Sequence, residues 1–326
     1  VHRFPQTTPD RRRTSVDGVQ RALLLLIAVA LVGCVSTPPA ADAPIQTAKT
    51  VVAPRDTAAP RDSAAPRPVL NALARAVIVT PGAADLVDAR LASFPGRVAI
   101  VAANGNTGEV LLTVDADTPV FAASLYKLAV LLEAERRFDA GTLSPDERIT
   151  VTPADQTEDG SFTAAGSVLT IDEALERAIV ISDNAAALAL IRRLGIPAIH
   201  ATLEREGIAL RFTADGAMTT AAAIATFFGE LVRGSLVSRA ASSRMLARLS
   251  RQRVADRFPA ALPGAVIAHK TGNLGFATHD AGIVRGPGDA PIVLVVLTWD
   301  SGEQEAIDLI REVAVLIYGG LSPMAP

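Results

Sequence analysis

Two runs rich in β-branched and apolar residues, Val98 to Ala103 and Glu109 to Val114, are separated by Asn104-Gly105-Asn106-Thr107-Gly108. A short Asn- and Gly-rich connector between such runs predicts a hairpin, so an antiparallel sheet begins here. From residue 125 the apolar period lengthens from two to about 3.6, predicting helices over Leu125 to Arg137, Asp172 to Ile181 and Ala185 to Leu194. Thr170 and Glu173 form a capping-box pair ahead of the second, and Gly195 stops the third. Further helical patterns cover Pro197 to Glu206, Thr220 to Arg233 and Arg239 to Ser250. Strand patterns return at Ala265 to His269, Ala281 to Arg285 and Pro291 to Trp299, before an amphipathic last helix from Glu303 to Tyr318. Strands at both ends and helices between them predict an α/β (α+β) fold. An antiparallel sheet flanked by helices is assembled from about 69–120 and 264–326, with an inserted all-α part over about 121–263. A cleft between two such parts is a natural place for a site.

The beginning of the chain has a different pattern. Arg11, Arg12, Arg13 and Arg21 precede an apolar run from Ala22 to Val32, and Gly33 and Cys34 follow. Eleven apolar residues fit a signal-peptide core and fall short of the roughly 20 that span a bilayer. Leu31-Val32-Gly33-Cys34 resembles a bacterial lipobox, which implies cleavage before Cys34 and lipidation of its thiol. An ordinary cleaved signal is the alternative. Cys34 is the only cysteine in the chain, so no intrachain disulfide can form. Residues 35–68 are rich in Ala, Pro, Thr and Asp and cannot bury enough apolar surface to order themselves, which makes them a tether. Residues 69–326 remain for the folded part, expected to face the periplasm or cell envelope on a lipid anchor after export across the inner membrane.

Charge narrows the partners. The chain carries 31 basic and 34 acidic residues. Without residues 1–34, which hold five Arg and two Asp, the balance is 26 against 32, or −6. Nothing there points to nucleic acid. The histidines, His2, His200, His269 and His279, are scattered without metal-ligand spacing, and no cofactor loop is apparent, so neither metal nor cofactor is expected. His269 and His279 are read as structural, and a monomer is expected.

The candidate chemistry begins at Ser124-Leu125-Tyr126-Lys127. The helix predicted here is apolar on nearly every side except at Ser124 and Lys127, the mark of a buried helix. A buried lysine is costly unless it is neutral or paired. At i and i+3 its amine shares a face with the Ser124 hydroxyl. Desolvation lowers a lysine pKa and makes it a base able to take the serine proton. In a first helical turn, free backbone N–H groups also favour a developing oxyanion. By itself Ser-x-x-Lys is a weak signal, and a snorkelling surface lysine is the plain alternative. Leu125 and Tyr126 are read as core.

Two further motifs follow in order: Ser182-Asp183-Asn184 between two predicted helices, and Lys270-Thr271-Gly272 after an apolar run. Together with Ile181 to Ala186, Lys270 to Asn273, His279 to Val284 and the helix start at Thr219-Thr220-Ala221-Ala222, they make the chain resemble the class A branch of the serine β-lactamase and penicillin-binding protein superfamily, over roughly residues 80–320. The resemblance implies a two-part fold with the site in the cleft. It implies Ser124 as nucleophile, Lys127 as its activator, Ser182 as proton relay and Asn184 as a group that orients Lys127 and holds the substrate amide. Lys270, Thr271 and Gly272 are implied to receive the substrate carboxylate, and Asn273 to add its backbone N–H to an oxyanion hole.

In one respect the sequence departs from that family. Class A enzymes carry Glu-x-x-x-Asn in an omega loop, and its glutamate activates the deacylating water. Here the interval from Asn184 to Thr219 is short and contains no such element. Glu204 and Glu206 fall on a predicted helix as exposed charges, which leaves Asp215 as the remaining candidate base. The implied activity is opening of a β-lactam ring through an acyl-Ser124 intermediate. A D-Ala-D-Ala peptidase or esterase with the same core, and a lipoprotein sensor acylated by β-lactams without turnover, are the alternatives. Substrates are therefore a β-lactam or a cell-wall peptide, and the membrane is a partner through Cys34.

Overall fold

The computed structural model describes residues 77–285 and 290–323. The leader with Cys34 and the tether predicted over 35–68 lie outside the described residues.

Five strands form one antiparallel sheet: β2 (Arg97–Asn104), β3 (Val110–Val114), β9 (Val266–Asn273), β10 (Ala277–Arg285) and β11 (Pro291–Trp299), in the spatial order β3-β2-β11-β10-β9. The hairpin predicted around Asn104 to Gly108 closes with Asn104 N–H on the Glu109 carbonyl and Gly108 N–H on the Asn104 carbonyl. Strand β11 is apolar from Pro291 to Leu297 because both faces of the sheet are covered. On one face Ile100, Ala102, Leu294 and Val296 pack against α1 (Pro81–Ala92) and α9 (Glu303–Gly319). On the other, Val101, Ile283, Val293 and Leu297 join the core of the helical part. Alternate residues of the same strands thus serve two cores. A short pair, β1 (Val77–Val79) with β12 (Leu321–Pro323), ties the two ends of the fold together.

The helical part comprises α2 (Lys127–Asp139), α3 (Ile171–Val180), α4 (Asn184–Leu194), α5 (Ile196–Arg205), α6 (Ala221–Arg233), α7 (Arg239–Leu249) and the short α8 (Phe258–Ala261). Thr170 and Glu173 make the predicted capping box at the start of α3. Asp183 caps α4, and Thr220 and Ser238 cap α6 and α7. Two small sheets accompany these helices: β5 (Arg148–Thr150) pairs with β6 (Val168–Thr170), and β4 (Val120–Phe121) pairs with β8 (Gly216–Thr219), which pairs in turn with β7 (Arg211–Thr213). Among the described residues no single helix is long and apolar enough to cross a membrane.

Several details differ from the pattern-based expectation. Helix α1 buries only Ala83 and Val87, too few apolar contacts to leave a periodic signature. Ser124 lies in a 3-10 turn, Ala123–Tyr126, and the α-helix proper starts at Lys127. Lys270-Thr271-Gly272 belongs to β9 itself and does not follow the strand's end. Residues 211–219 form a β-hairpin where no strand was expected.

Candidate active site

Ser124 stands at the junction of the two parts because the chain leaves the short strand β4 and turns directly into α2. Ala123, just before it, holds φ at +44°, and Ser182 holds +60°. Neither is glycine, so each left-handed backbone costs on the order of 1–2 kcal/mol and is held by its surroundings. Gly272 lets β9 approach this turn: a Cβ there would lie 3.0 Å from the Ala123 Cβ and 3.1 Å from His279 Cδ2. His279 is fully buried, donates from Nε2 to the Phe121 carbonyl at 2.8 Å and accepts the Thr298 N–H at Nδ1 at 3.2 Å. Both contacts fit the neutral ring, and burial pushes its pKa down to about 4. His269 pairs with Asp280 at 2.8 Å, and Asp280 also accepts the Phe258 N–H. Both histidines thus brace strands near the site.

Lys127 is the hub. Its Nζ contacts Ser124 Oγ at 3.1 Å, Ser182 Oγ at 3.0 Å, the Ser182 carbonyl at 2.6 Å and Asn184 Oδ1 at 2.6 Å. The side chain is fully buried, and burial first, then the nearby Lys270 charge, hold its pKa well below the ordinary lysine value, with Asp183 opposing. A neutral amine has two N–H groups and one lone pair. The Ser182 carbonyl and Asn184 Oδ1 can only accept, so they take the two N–H groups. The lone pair is left to the hydroxyls, which can donate to it. This is the geometry of a base beside a serine.

Asn184 is oriented in turn. Its Nδ2 donates to the Asp159 carbonyl at 2.9 Å and to Thr157 Oγ1 at 3.3 Å, and its backbone N–H meets the Gly160 carbonyl at 2.7 Å. Asp183, buried at the start of α4, accepts the N–H groups of Phe162, Ala185 and Ala186 and the Thr163 hydroxyl. Lys270 Nζ donates to Ser182 Oγ at 3.1 Å and to the Thr271 carbonyl at 2.8 Å. Burial lowers its pKa to about 7, Asp280 opposing and Arg257 adding to the shift. Ser182 Oγ therefore bridges both lysines.

These residues open onto a groove of about 560 Å³ whose lining includes Ser124, Ser182, Asn184, Thr271 and Asn273. The Asn273 side chain donates to Glu303 and accepts the Gly275 N–H at 2.9 Å, fixing the turn after β9. Contrary to the expectation of a water-activating base there, Asp215 sits exposed at the tip of the β7–β8 hairpin, its N–H on Thr213 Oγ1, and is not part of the groove lining. Nothing holds an exposed turn carboxylate toward Ser124. Acids do line the groove, namely Glu158, Asp159, Asp256 and Glu303, but among the described residues only Lys127 hydrogen-bonds the Ser124 hydroxyl. Glu204 is exposed on α5 and pairs with Arg211.

Arg257 was not anticipated. It lines the groove and is 2% exposed; its Nη1 meets Asp256 at 3.0 Å and its Nε lacks a partner among the described residues. Its guanidinium is thus a charged donor at the groove wall, of the kind that pairs with carboxylates. No local motif marks it, because its position comes from the loop ahead of α8. Phe162, 63% exposed at the groove, is similarly silent in the sequence.

A fully buried lysine beside a serine, a second lysine sharing a relay hydroxyl with it, and a groove between a sheet and a helical part define a serine acyl-transfer site. The family model described as "Beta-lactamase enzyme family" matches residues 82–321, and the chain belongs to that family. It is 34% identical over 164 residues to a beta-lactamase of Streptomyces albus G, covering 44% of this chain and 51% of that protein. It is 31% identical over 177 residues to one of Streptomyces lavendulae, covering 48% and 57%. The matched stretch thus spans about half the length of these curated relatives. Its fold is that of the class A β-lactamases and of PBP-A. A PBP-A mutant described as an acyl-enzyme complex with penicillin G superposes with a TM-score of 0.68 at 25% identity, covering 73% of this chain and 95% of that one. An ancestral class A β-lactamase does so with a TM-score of 0.67 at 26% identity, covering 73% and 99%.

Proposed function

We propose that the protein is a serine β-lactam hydrolase that opens the ring through an acyl-Ser124 intermediate. The observation carrying this reading is the buried Lys127 amine, whose N–H groups are taken by the Ser182 carbonyl and Asn184 while its lone pair is left to a hydroxyl. Neutral Lys127 takes the Ser124 proton as Oγ bonds to the lactam carbonyl carbon. The carbonyl oxygen becomes an oxyanion, received by the backbone N–H groups of Ser124 and Asn273. As the carbon–nitrogen bond breaks, the proton returns through Ser182, which contacts both lysines, to the leaving nitrogen. Lys270, Thr271 and the strand geometry at Gly272 receive the substrate carboxylate, with Arg257 adding charge.

Water must then cleave the ester, and this step needs a base. The groove acids make no contact with Ser124, which favours fast acylation and slow deacylation. On that ground a penicillin-binding peptidase or esterase using the same residues is the second reading. The β-lactamase relatives support the first, and the PBP-A acyl-enzyme neighbour is compatible with either. We further propose export by the leader, lipidation at Cys34, an envelope-facing periplasmic location on the 35–68 tether, and a monomer.

The test mixes the purified protein and its Ser124→Ala variant with a penicillin and a chromogenic cephalosporin, following product release and intact mass. Fast release lost in the variant establishes the hydrolase. A stable one-to-one adduct with little release selects the second reading, and no adduct refutes the acyl-serine chemistry for β-lactams.

A further inference from the structure

The groove changes sign along its depth. Its inner wall carries Arg257, 2% exposed with an unpartnered Nε among the described residues, and Ser182, behind which the fully buried Lys270 donates to the Ser182 hydroxyl. Its mouth carries Glu158, Asp159 and Glu303, all exposed. No Lys or Arg nitrogen lies within 4.0 Å of their carboxylates among the described residues, whereas Asp256 is already paired with Arg257. The three acids stand on two walls. Asn184 holds the loop bearing Glu158 and Asp159 through the Asp159 and Gly160 carbonyls, and Glu303 is tied to Asn273 at the end of β9.

Such a groove attracts an anion at its floor and repels one at its mouth. A substrate that satisfies both carries opposite charges at its two ends. We propose that the site selects zwitterionic acyl donors, with a carboxylate on the Lys270–Arg257 floor and an ammonium group at the mouth, where Glu158, Asp159 and Glu303 receive it. This rests on the acyl-serine reading above. It implies that the acyl side chain of a good substrate bears a free amine, and that a second carboxylate there is disfavoured.

The mouth carboxylates act through water, so each is worth roughly a factor of 1.5 on a unit charge at low salt, fading within a Debye length of about 8–10 Å at physiological salt. Exchanging an ammonium for a carboxylate on the same scaffold therefore costs about tenfold.

Three penicillins serve as probes: benzylpenicillin, ampicillin and carbenicillin, whose side-chain α carbons carry hydrogen, an amine and a carboxylate. Second-order constants for acylation of the full-length protein are measured by stopped flow and intact mass at pH 6, where the amine is protonated, in low and in molar salt. The expected order is ampicillin, benzylpenicillin, carbenicillin. About tenfold separates the extremes at low salt, and less than threefold remains in molar salt or in the Glu158→Gln/Asp159→Asn double variant. Equal constants, or a spread that neither salt nor the double variant reduces, overturn the inference while leaving acyl-serine chemistry intact. Failure of all three to acylate Ser124 overturns that chemistry and this inference together.

Discussion

Gly160 is far from the nucleophile in sequence, yet its replacement by alanine tests how Lys127 is oriented. Gly160 holds φ at +70°, and a Cβ there would lie 2.8 Å from Asn184 Nδ2. To regain ordinary contact at 3.4 Å, the Asn184 amide has to retreat by about 0.6 Å. That amide cannot move freely, because Nδ2 is bound to Asp159 and Thr157 while Oδ1 holds Lys127 at 2.6 Å. A 1 Å misplacement of catalytic groups costs about a hundredfold in rate, so this shift predicts about a tenfold loss of acylation. The left-handed alanine adds roughly 1–2 kcal/mol of destabilisation, a fall in Tm of about 2–8 °C for a domain of this size. Gly160→Asn separates the two effects. Asparagine tolerates the left-handed backbone better but carries the same Cβ, so it should recover much of the Tm and little of the acylation rate. The assay is burst-phase acylation by a chromogenic cephalosporin beside thermal unfolding. If Gly160→Ala acylates within twofold of the parent protein, or if Gly160→Asn recovers rate and Tm together, the chain from loop to Asn184 to Lys127 is refuted.

Lys270, with its pKa lowered to about 7 by burial, must be protonated to hold a carboxylate. KM for carboxylate-bearing substrates should therefore rise as pH increases through 7, and Lys270→Arg, which stays charged, should flatten the profile. Arg257→Ala removes a buried cation from the groove and should raise KM about 10- to 100-fold with a smaller effect on kcat. Because Arg257 also lowers the Lys270 pKa, the same variant should move the KM transition to higher pH; an unmoved transition excludes that coupling. His279 is neutral in the fold, with a pKa near 4 against an ordinary 6.5. The unfolded chain therefore binds the extra proton between these values, and the His279 contribution is complete above pH 6.5 and lost as pH falls toward 4. Its size is about 3 kcal/mol. Comparing Tm from pH 7 to 4 in the parent and in His279→Gln should show a shallower fall in the variant, and parallel curves would count against the assignment.

The large sheet and the long helices were legible because their burial is periodic or continuous over many residues. Strand β11 is apolar from Pro291 to Leu297, and α3 has an apolar face behind a capping box. The three short motifs were legible for another reason: their spacing along the chain carries chemistry directly, and the structure joins Ser124, Lys127, Ser182, Asn184 and Lys270 in one hydrogen-bonded cluster. Arg257 and the acids at the mouth were not legible, since each depends on where a loop without a motif comes to rest.

The β7–β8 hairpin shows where local pattern reading reaches its limit. Ile208, Leu210 and Phe212 alternate with exposed neighbours as a strand requires, but the run is short and ends at Asp215-Gly216, so period two is hardly established. What settles the conformation is tertiary: β8 pairs with Val120 and Phe121, and Phe212 meets the Tyr126 ring edge-on at 5.8 Å. That packing sets an aromatic contact beside the turn bearing Ser124 and points the hairpin's acid, Asp215, into solvent. The hairpin's acid therefore faces away from the turn bearing Ser124, and the water that cleaves the ester has to draw on another group lining the groove.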